Sequence, residues 1–189
     1  ASDVYKRQHY GWNVDPSIIR VVPDVLEAYE IFLRELVGAG NSVIVPTPAY
    51  MPFLSVPKLY DVNVIEIEML QSGDTETGEA QWLFDFDAIE RAFAAGCHAF
   101  VLCNPHNPIG KVLTLEEELR LSDLAAQYDV RIFNDEIHAP FVFEGKHIPF
   151  PTISEQAALQ SMTATSASKS FNIPGTKLSL IHISEPTRL

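Results

Sequence analysis

Short apolar, β-branched runs alternate along this chain with stretches of helical period, and that alternation leaves few architectures open. "NSVIVPTP" (41–48), "VNVIEIEML" (62–70), "AFVLCNP" (99–105), "VRIFNDEI" (130–137) and "SMTATSA" (161–167) read as strands, the third buried on both faces. Between them, Pro23 to Leu36 carries apolar residues at Val25, Leu26, Tyr29, Phe32, Leu33 and Leu36, which is helical spacing. Pro23 suits the first turn, where its missing N–H is not needed. "DFDAIERAFAAG" (85–96) reads as a helix ended by glycine, and "TLEEELRLSDLAAQYD" (114–129) opens with a capping box, Thr114 and Glu117. Strand-helix-strand order of this kind predicts an α/β fold: a mainly parallel sheet with helices on both faces.

The polar residues that interrupt this pattern fall at the carboxyl ends of strands: Tyr50, Asn104 and Asn107, Asp135 and His138, Ser166 and Lys169. Open α/β sheets bind ligands outside those ends, so the four strand ends are expected to share one site. Lys169, in "SASKSFNIPG" (166–175), stands between serines, after an apolar run and before a Pro-Gly break. An isolated lysine is ordinarily a solvated charge. It becomes a nucleophile when burial or a neighbouring cation lowers its pKa, and its free amine can then attack a carbonyl. A carbonyl cofactor such as pyridoxal phosphate suits that chemistry, and it sets further needs. Its ring nitrogen needs a carboxylate, for which Asp135 is placed, although a strand-end Asp also serves as a turn residue. Its ring oxygen needs a donor, which Asn107 can supply, although Asn-Pro pairs also form ordinary turns. Backbone N–H groups at Val21 and Val22, before the helix that follows Pro23, are candidates for its phosphate. Tyr50 can cover the ring, or simply pack in the core.

Taken together, "CNPHNPIGKVLT", "NDEIHAPFVFEGKHIPF", "TSASKSFNIPG" and "PTPAYMPF" resemble the large domain of aspartate-aminotransferase-fold pyridoxal phosphate enzymes, class I/II. Within that fold they resemble the cystathionine β-lyase-like branch, the PatB/MalY type of C–S lyase. The resemblance implies that Lys169 is the Schiff-base lysine and the general base, and that Asp135 partners the ring nitrogen. It further implies that Asn107 bonds the ring oxygen, that His138 stands where many relatives carry a tyrosine for the same oxygen, that Tyr50 stacks on the ring, and that Ser166 helps hold the phosphate. The implied reaction is β-elimination from cystathionine or another cysteine S-conjugate, giving thiol, pyruvate and ammonia. The alternatives within the fold are an aminotransferase and the pyridoxal-phosphate-fold domain of a transcriptional regulator. The resemblance implies a small sulfur-containing amino acid as substrate and a homodimer as the full-length protein.

Composition narrows the partners. A formal net charge of −12 disfavours a nucleic-acid surface, which needs clustered Lys and Arg. Nothing approaches the roughly 18 apolar residues of a membrane span. Two cysteines, Cys97 and Cys103, are too few for a disulfide framework and sit in apolar runs, which predicts core thiols in a reducing compartment, the cytoplasm. The two ends of the chain mirror each other at the level of codons. Asp3–Gln8, written GAT GTG TAT AAG AGA CAG, has the reverse complement CTG TCT CTT ATA CAC ATC, which encodes Leu178–Ile183. An inverted repeat of this kind resembles a sequencing adapter read through into both ends. Residues 1–8 and 178–189 are therefore expected to be adapter-derived, leaving 9–177 as a large domain truncated at both ends.

Overall fold

The computed structural model describes residues 2–73 and 81–183. Seven strands form one sheet: β1 (Ile19–Val22), β2 (Ser42–Thr47), β3 (Asn63–Glu68), β6 (Ala99–Cys103), β7 (Arg131–Asp135), β8 (Ser161–Ser166) and β9 (Ser179–Ile183). Their order is β1-β9-β8-β7-β6-β2-β3, and β4 (Leu70–Ser72) pairs separately with β5 (Gln81–Leu83). The pairs β2–β3, β2–β6, β6–β7 and β7–β8 are parallel, whereas β9 runs antiparallel to both β8 and β1. All five strands expected from the sequence are present, within two residues at each end.

Strand β6 shows why the fold needs helices on both faces. All five of its residues are buried. Ala99, Val101 and Cys103 point into one core, with Tyr29, Phe32 and Phe133. Phe100 and Leu102 point into the other, with Ile89, Leu121 and Ile132. The first core is closed by α2 (Val25–Phe32) and α3 (Met51–Ser55), the second by α4 (Phe86–Ala94), α5 (Leu115–Gln127) and α6 (Glu155–Gln160). In the first core the rings of Tyr29, Phe53 and Phe133 pack within 5.0–6.1 Å of one another, and the Tyr29 hydroxyl donates to the Phe53 carbonyl at 3.2 Å. Burial pushes that hydroxyl's pKa well up. Each such aromatic contributes about 1.5–3 kcal/mol by leaving water.

Local signals act as the sequence suggests. Thr114 and Glu117 form both halves of the capping box on α5, and Gly96, with φ 98, follows α4. One detail differs. Pro23 lies outside the helix, and Asp24 is the cap: its Oδ1 accepts from Glu27 N–H at 2.9 Å. A free carboxylate there satisfies an end donor directly, which a proline in the first turn does not do.

The segments set apart in the sequence take ordered places. Ser2–Tyr10 forms a helix, α1, and Ser179–Ile183 supplies β9, between β8 and β1. The alternation of Leu-Ser-Leu-Ile-His-Ile satisfies a strand slot whatever the origin of its codons, because Ile181 enters the first core. Residues 184–189 lie outside the described residues.

Candidate functional site

Parallel β2, β6, β7 and β8 deliver their carboxyl ends to one side of the sheet, and a cavity of ≈ 280 Å³ opens there. Tyr50, Asn107, Asp135, His138, Ser166 and Lys169 all line it. Six side chains from segments as much as 119 positions apart in the chain are thus brought together by strand topology alone.

Asp135 ends β7 and is buried, its Oδ1 accepting from Ile137 N–H at 3.0 Å. Burial pushes its carboxyl up to about 7; the Ile137 hydrogen bond opposes this, Glu136 adds to it, and the Lys169 charge pulls back. His138 is half-buried, and burial lowers its pKa, with the Lys169 charge acting in the same direction. Near neutral pH it is therefore an uncharged imidazole with one donor and one acceptor nitrogen. Tyr50 packs edge-on against Phe53, ring centroids 5.6 Å apart, and stays 40% exposed toward the cavity. A wider hollow of ≈ 550 Å³ shares Asn107 and His138 and runs out past Phe141 and Phe143.

Lys169 sits in the turn after β8, which three backbone bonds tie: Phe171 N to Ala167 O, Asn172 N to Lys169 O and Ile173 N to Ser168 O. The residue is exposed, so burial, one of the two sources of activation expected from the sequence, is not supplied by this chain. The Ser166 hydroxyl donates to the Leu178 carbonyl at 2.8 Å and accepts from Ser168 N–H at 3.0 Å. It shapes the lysine turn, and must rotate away from Leu178 before it can donate to an anion.

Val21 and Val22 do not line the cavity. Both belong to β1, paired to Leu180 and Ser179 of β9; Val22 is buried in the first core and Val21 points away, 68% exposed. The expectation placed the helix start two residues too early. The groups that do reach the cavity are Pro23, Asp24, Val25 and Leu26, at the start of α2. Asp24 caps Glu27, which leaves the N–H groups of Val25 and Leu26 as end donors. The lining also includes residues the sequence does not single out, Ser168 and Lys177 among them; Lys177 Nζ lies 3.6 Å from Asp24 Oδ2, so a cation and a helix N-terminus meet at one wall. Nothing in the local context of Lys177 (Pro-Gly-Thr-Lys) marks it; only the return of the chain beside α2 does.

Asn104, flagged at the end of β6, turns beneath the rim instead. It is buried, its Nδ2 donates to Glu118 Oε1 at 2.6 Å, and its Oδ1 accepts from Leu113 N–H at 3.1 Å. Glu118 is fully buried, and burial, reinforced by Glu136, pushes its pKa up to about 8. The folded chain thus keeps a proton that the unfolded chain releases near its ordinary 4.5. Stability falls as pH rises through that window, because the folded state binds more protons than the unfolded one. Glu118→Gln, which keeps an acceptor for Asn104, flattens that fall. Urea melts taken from about pH 5 to 8 measure it, and an unchanged slope would remove Glu118 as its source.

Comparison with known proteins places these features in a family. The profile described as "Aminotransferase class I and II" matches residues 4–188. A cystathionine beta-lyase of Corynebacterium glutamicum is 38% identical over 180 residues, covering 95% of this chain and 45% of that protein. The cystathionine beta-lyase PatB of Bacillus subtilis is 31% identical, covering 98% and 46%. Cystalysin from Treponema denticola, solved with a pyridoxal 5'-phosphate cofactor, superposes with a TM-score of 0.91 at 30% identity, covering 98% of this chain and 46% of that one. The chain spans a little under half the length of the relatives it matches. With a matching profile over nearly its whole length, the mainly parallel sheet and the convergent strand ends, the chain belongs to the aminotransferase class I and II family.

Proposed function

We propose that this chain is the cofactor-holding part of a pyridoxal-phosphate-dependent carbon–sulfur β-lyase, acting on cystathionine or a related cysteine S-conjugate and releasing thiol, pyruvate and ammonia. The observation that carries the reading is the single cavity that joins an amine, a buried carboxyl, an uncharged imidazole and a helix N-terminus with a lysine beside it. Those groups fit a small aromatic phosphate with a ring nitrogen, a ring oxygen and a carbonyl. A buried carboxyl that holds its proton to about 7 is suited to a basic ring nitrogen, which can take that proton and leave an ion pair. The cavity volume is at the small end for ligand pockets, as suits a compact cofactor.

When bound, pyridoxal phosphate supplies an electron sink for a carbanion at the substrate α-carbon. The chain's own residues do the rest. Lys169 would hold the cofactor covalently and, once its amine is free, would take the substrate α-proton as general base. Asp135 carries the negative charge that favours a protonated ring nitrogen. Asn107 and neutral His138 would donate to the ring oxygen, and Tyr50 would shield the ring from water. The Val25 and Leu26 N–H groups, Lys177 and a rotated Ser166 hold the phosphate.

Incubating the full-length protein with cystathionine and scoring pyruvate and thiol tests the reading. A keto acid that retains the sulfur, with amino transfer to an acceptor, would make it an aminotransferase instead. The proposal extends to a homodimeric full-length protein in the reducing cytoplasm, in keeping with Cys97 and Cys103 being free, buried thiols.

Lys177→Gln isolates the phosphate end. It weakens pyridoxal phosphate binding about tenfold, the lower range for a charge-assisted bond given the exposure of Lys177. Pyridoxal, which lacks the phosphate, binds the variant and the wild type alike. Equal weakening of both ligands in a titration would take Lys177 out of the anion site.

A further inference from the structure

Strand β7 turns Asp135 toward the cavity, and the next residue, Glu136, is buried with no exposure at all. Its Oε1 accepts from Phe150 N–H and from Asn134 Nδ2, both at 2.9 Å. Its Oε2 lies 3.4 Å from His147 Nε2 and 3.4 Å from Lys6 Nζ. Burial alone would raise this carboxyl, but the charges of His147 and Lys6 and the bonds from His147 and Asn134 outweigh it and hold it at about 2. The charged groups that act with it are Lys6 on α1, His147, Glu118 on α5, its neighbour Asp135 and His182 on β9.

These contacts join residue 136 to residues 147 and 150, and the chain between them is a loop. Its first residues, Ile137 and His138, line the cavity. Ala139 N–H bonds to Glu136 O and Phe141 N–H to His138 O. Beyond these, residues 142–146 make no hydrogen bond among the described residues. Phe143 at the tip is 91% exposed, and Gly145 turns the chain back with φ 80. A loop of this length loses appreciable entropy on closure. One buried carboxylate at its neck, hydrogen-bonded to Phe150 N–H and ion-paired with His147, is what opposes that loss.

We propose that Glu136 is a positioning residue: its buried carboxylate ties the neck of the 137–150 loop and thereby holds His138 at the cavity. The partners assigned to the tie are Phe150 N–H and His147. Lys6, in the segment expected to be adapter-derived, is an accessory cation. The consequence for catalysis rests on the cavity being the cofactor site, whereas the tie itself does not.

Limited chymotrypsin cleavage at Phe143 in the 189-residue chain, with the ring NMR signals of His138, tests it without substrate or cofactor. Glu136→Ala is expected to speed cleavage roughly tenfold or more, as local opening becomes easier, and to shift or broaden the His138 signals. Glu136→Gln keeps an acceptor for Phe150 N–H and restores most of both readouts. His147→Gln loosens the loop on its own, which keeps the test open if Glu136→Ala fails to fold. Glu118→Gln and Lys6→Met leave cleavage near the wild-type rate. Wild-type cleavage and His138 signals in both Glu136→Ala and His147→Gln would overturn the proposal. So would loosening by Lys6→Met with none by His147→Gln, since the carboxylate would then serve α1. A tied loop in a full-length protein with no lyase activity would sink the functional reading and leave the tie standing.

Discussion

Lys169→Ala in the full-length protein removes nearly all formation of pyruvate and thiol from cystathionine. Two losses combine. On the proposed function, the general base for the α-proton would be gone, a contribution of typically about 10²–10⁴-fold, and so would the amine that holds the cofactor covalently. The substitution is also clean. Lys169 is exposed, its side chain donates no hydrogen bond among the described residues, and the turn around it is tied by backbone bonds that alanine keeps. Without cofactor, the melting temperature should therefore stay within about a degree or two of wild type, as for surface changes of under 0.5 kcal/mol. A second measurement separates the two losses. Borohydride treatment in the presence of pyridoxal phosphate should fix label on the peptide containing residue 169 in the wild type and on no peptide in the variant. Appreciable turnover by the variant would show that another group takes the proton. Label on a different lysine, Lys177 being the other one in the cavity, would move the covalent hold there.

Much of the sheet was legible because its strands obey local rules. The β6 run is apolar at every position, and no arrangement other than burial on both faces satisfies it. The α5 capping box is a four-residue signal and needs nothing from the rest of the chain. Six of the eight expected site residues could be gathered by noting which strand ends carry polar groups, since a parallel sheet must bring those ends together. The misses all depend on contacts between segments distant in sequence. Val21 and Val22 read locally as a helix approach, yet β9 recruits them as a strand, and only the sheet order shows it. Lys177 acquires its place from Asp24, 153 positions earlier. Glu136 carries no local signal of its own, because its meaning lies in His147 and Phe150 folding back on it. Exposure of Lys169 was illegible for a related reason: a polar turn after a buried strand gives no sign of which neighbours will cover it.

Asp135→Asn is expected to move stability and activity in opposite directions, which a residue kept only for packing does not do. In the absence of cofactor the folded chain keeps the Asp135 proton to about pH 7, against an ordinary value of 3.8. Over that window the unfolded chain has already released its proton, so the unfolded state binds fewer and stability falls as pH rises. Asparagine does not titrate, and its carbonyl oxygen can still accept from Ile137 N–H. The variant without cofactor should accordingly lose that fall and be the more stable chain at and above neutral pH, as read by urea melts across about pH 4 to 8. In the full-length enzyme the same change takes away the negative charge that favours a protonated ring nitrogen, and asparagine cannot replace it. Removing one preorganised electrostatic partner of a developing charge typically costs about 10²–10³ in rate, and turnover on cystathionine should drop by that order. Unchanged turnover would strip Asp135 of its catalytic role. A parallel loss of stability and activity would make it a packing residue, and the buried carboxyl would need a different explanation from the one its depth, its raised pKa and its place in one cavity with Lys169 support.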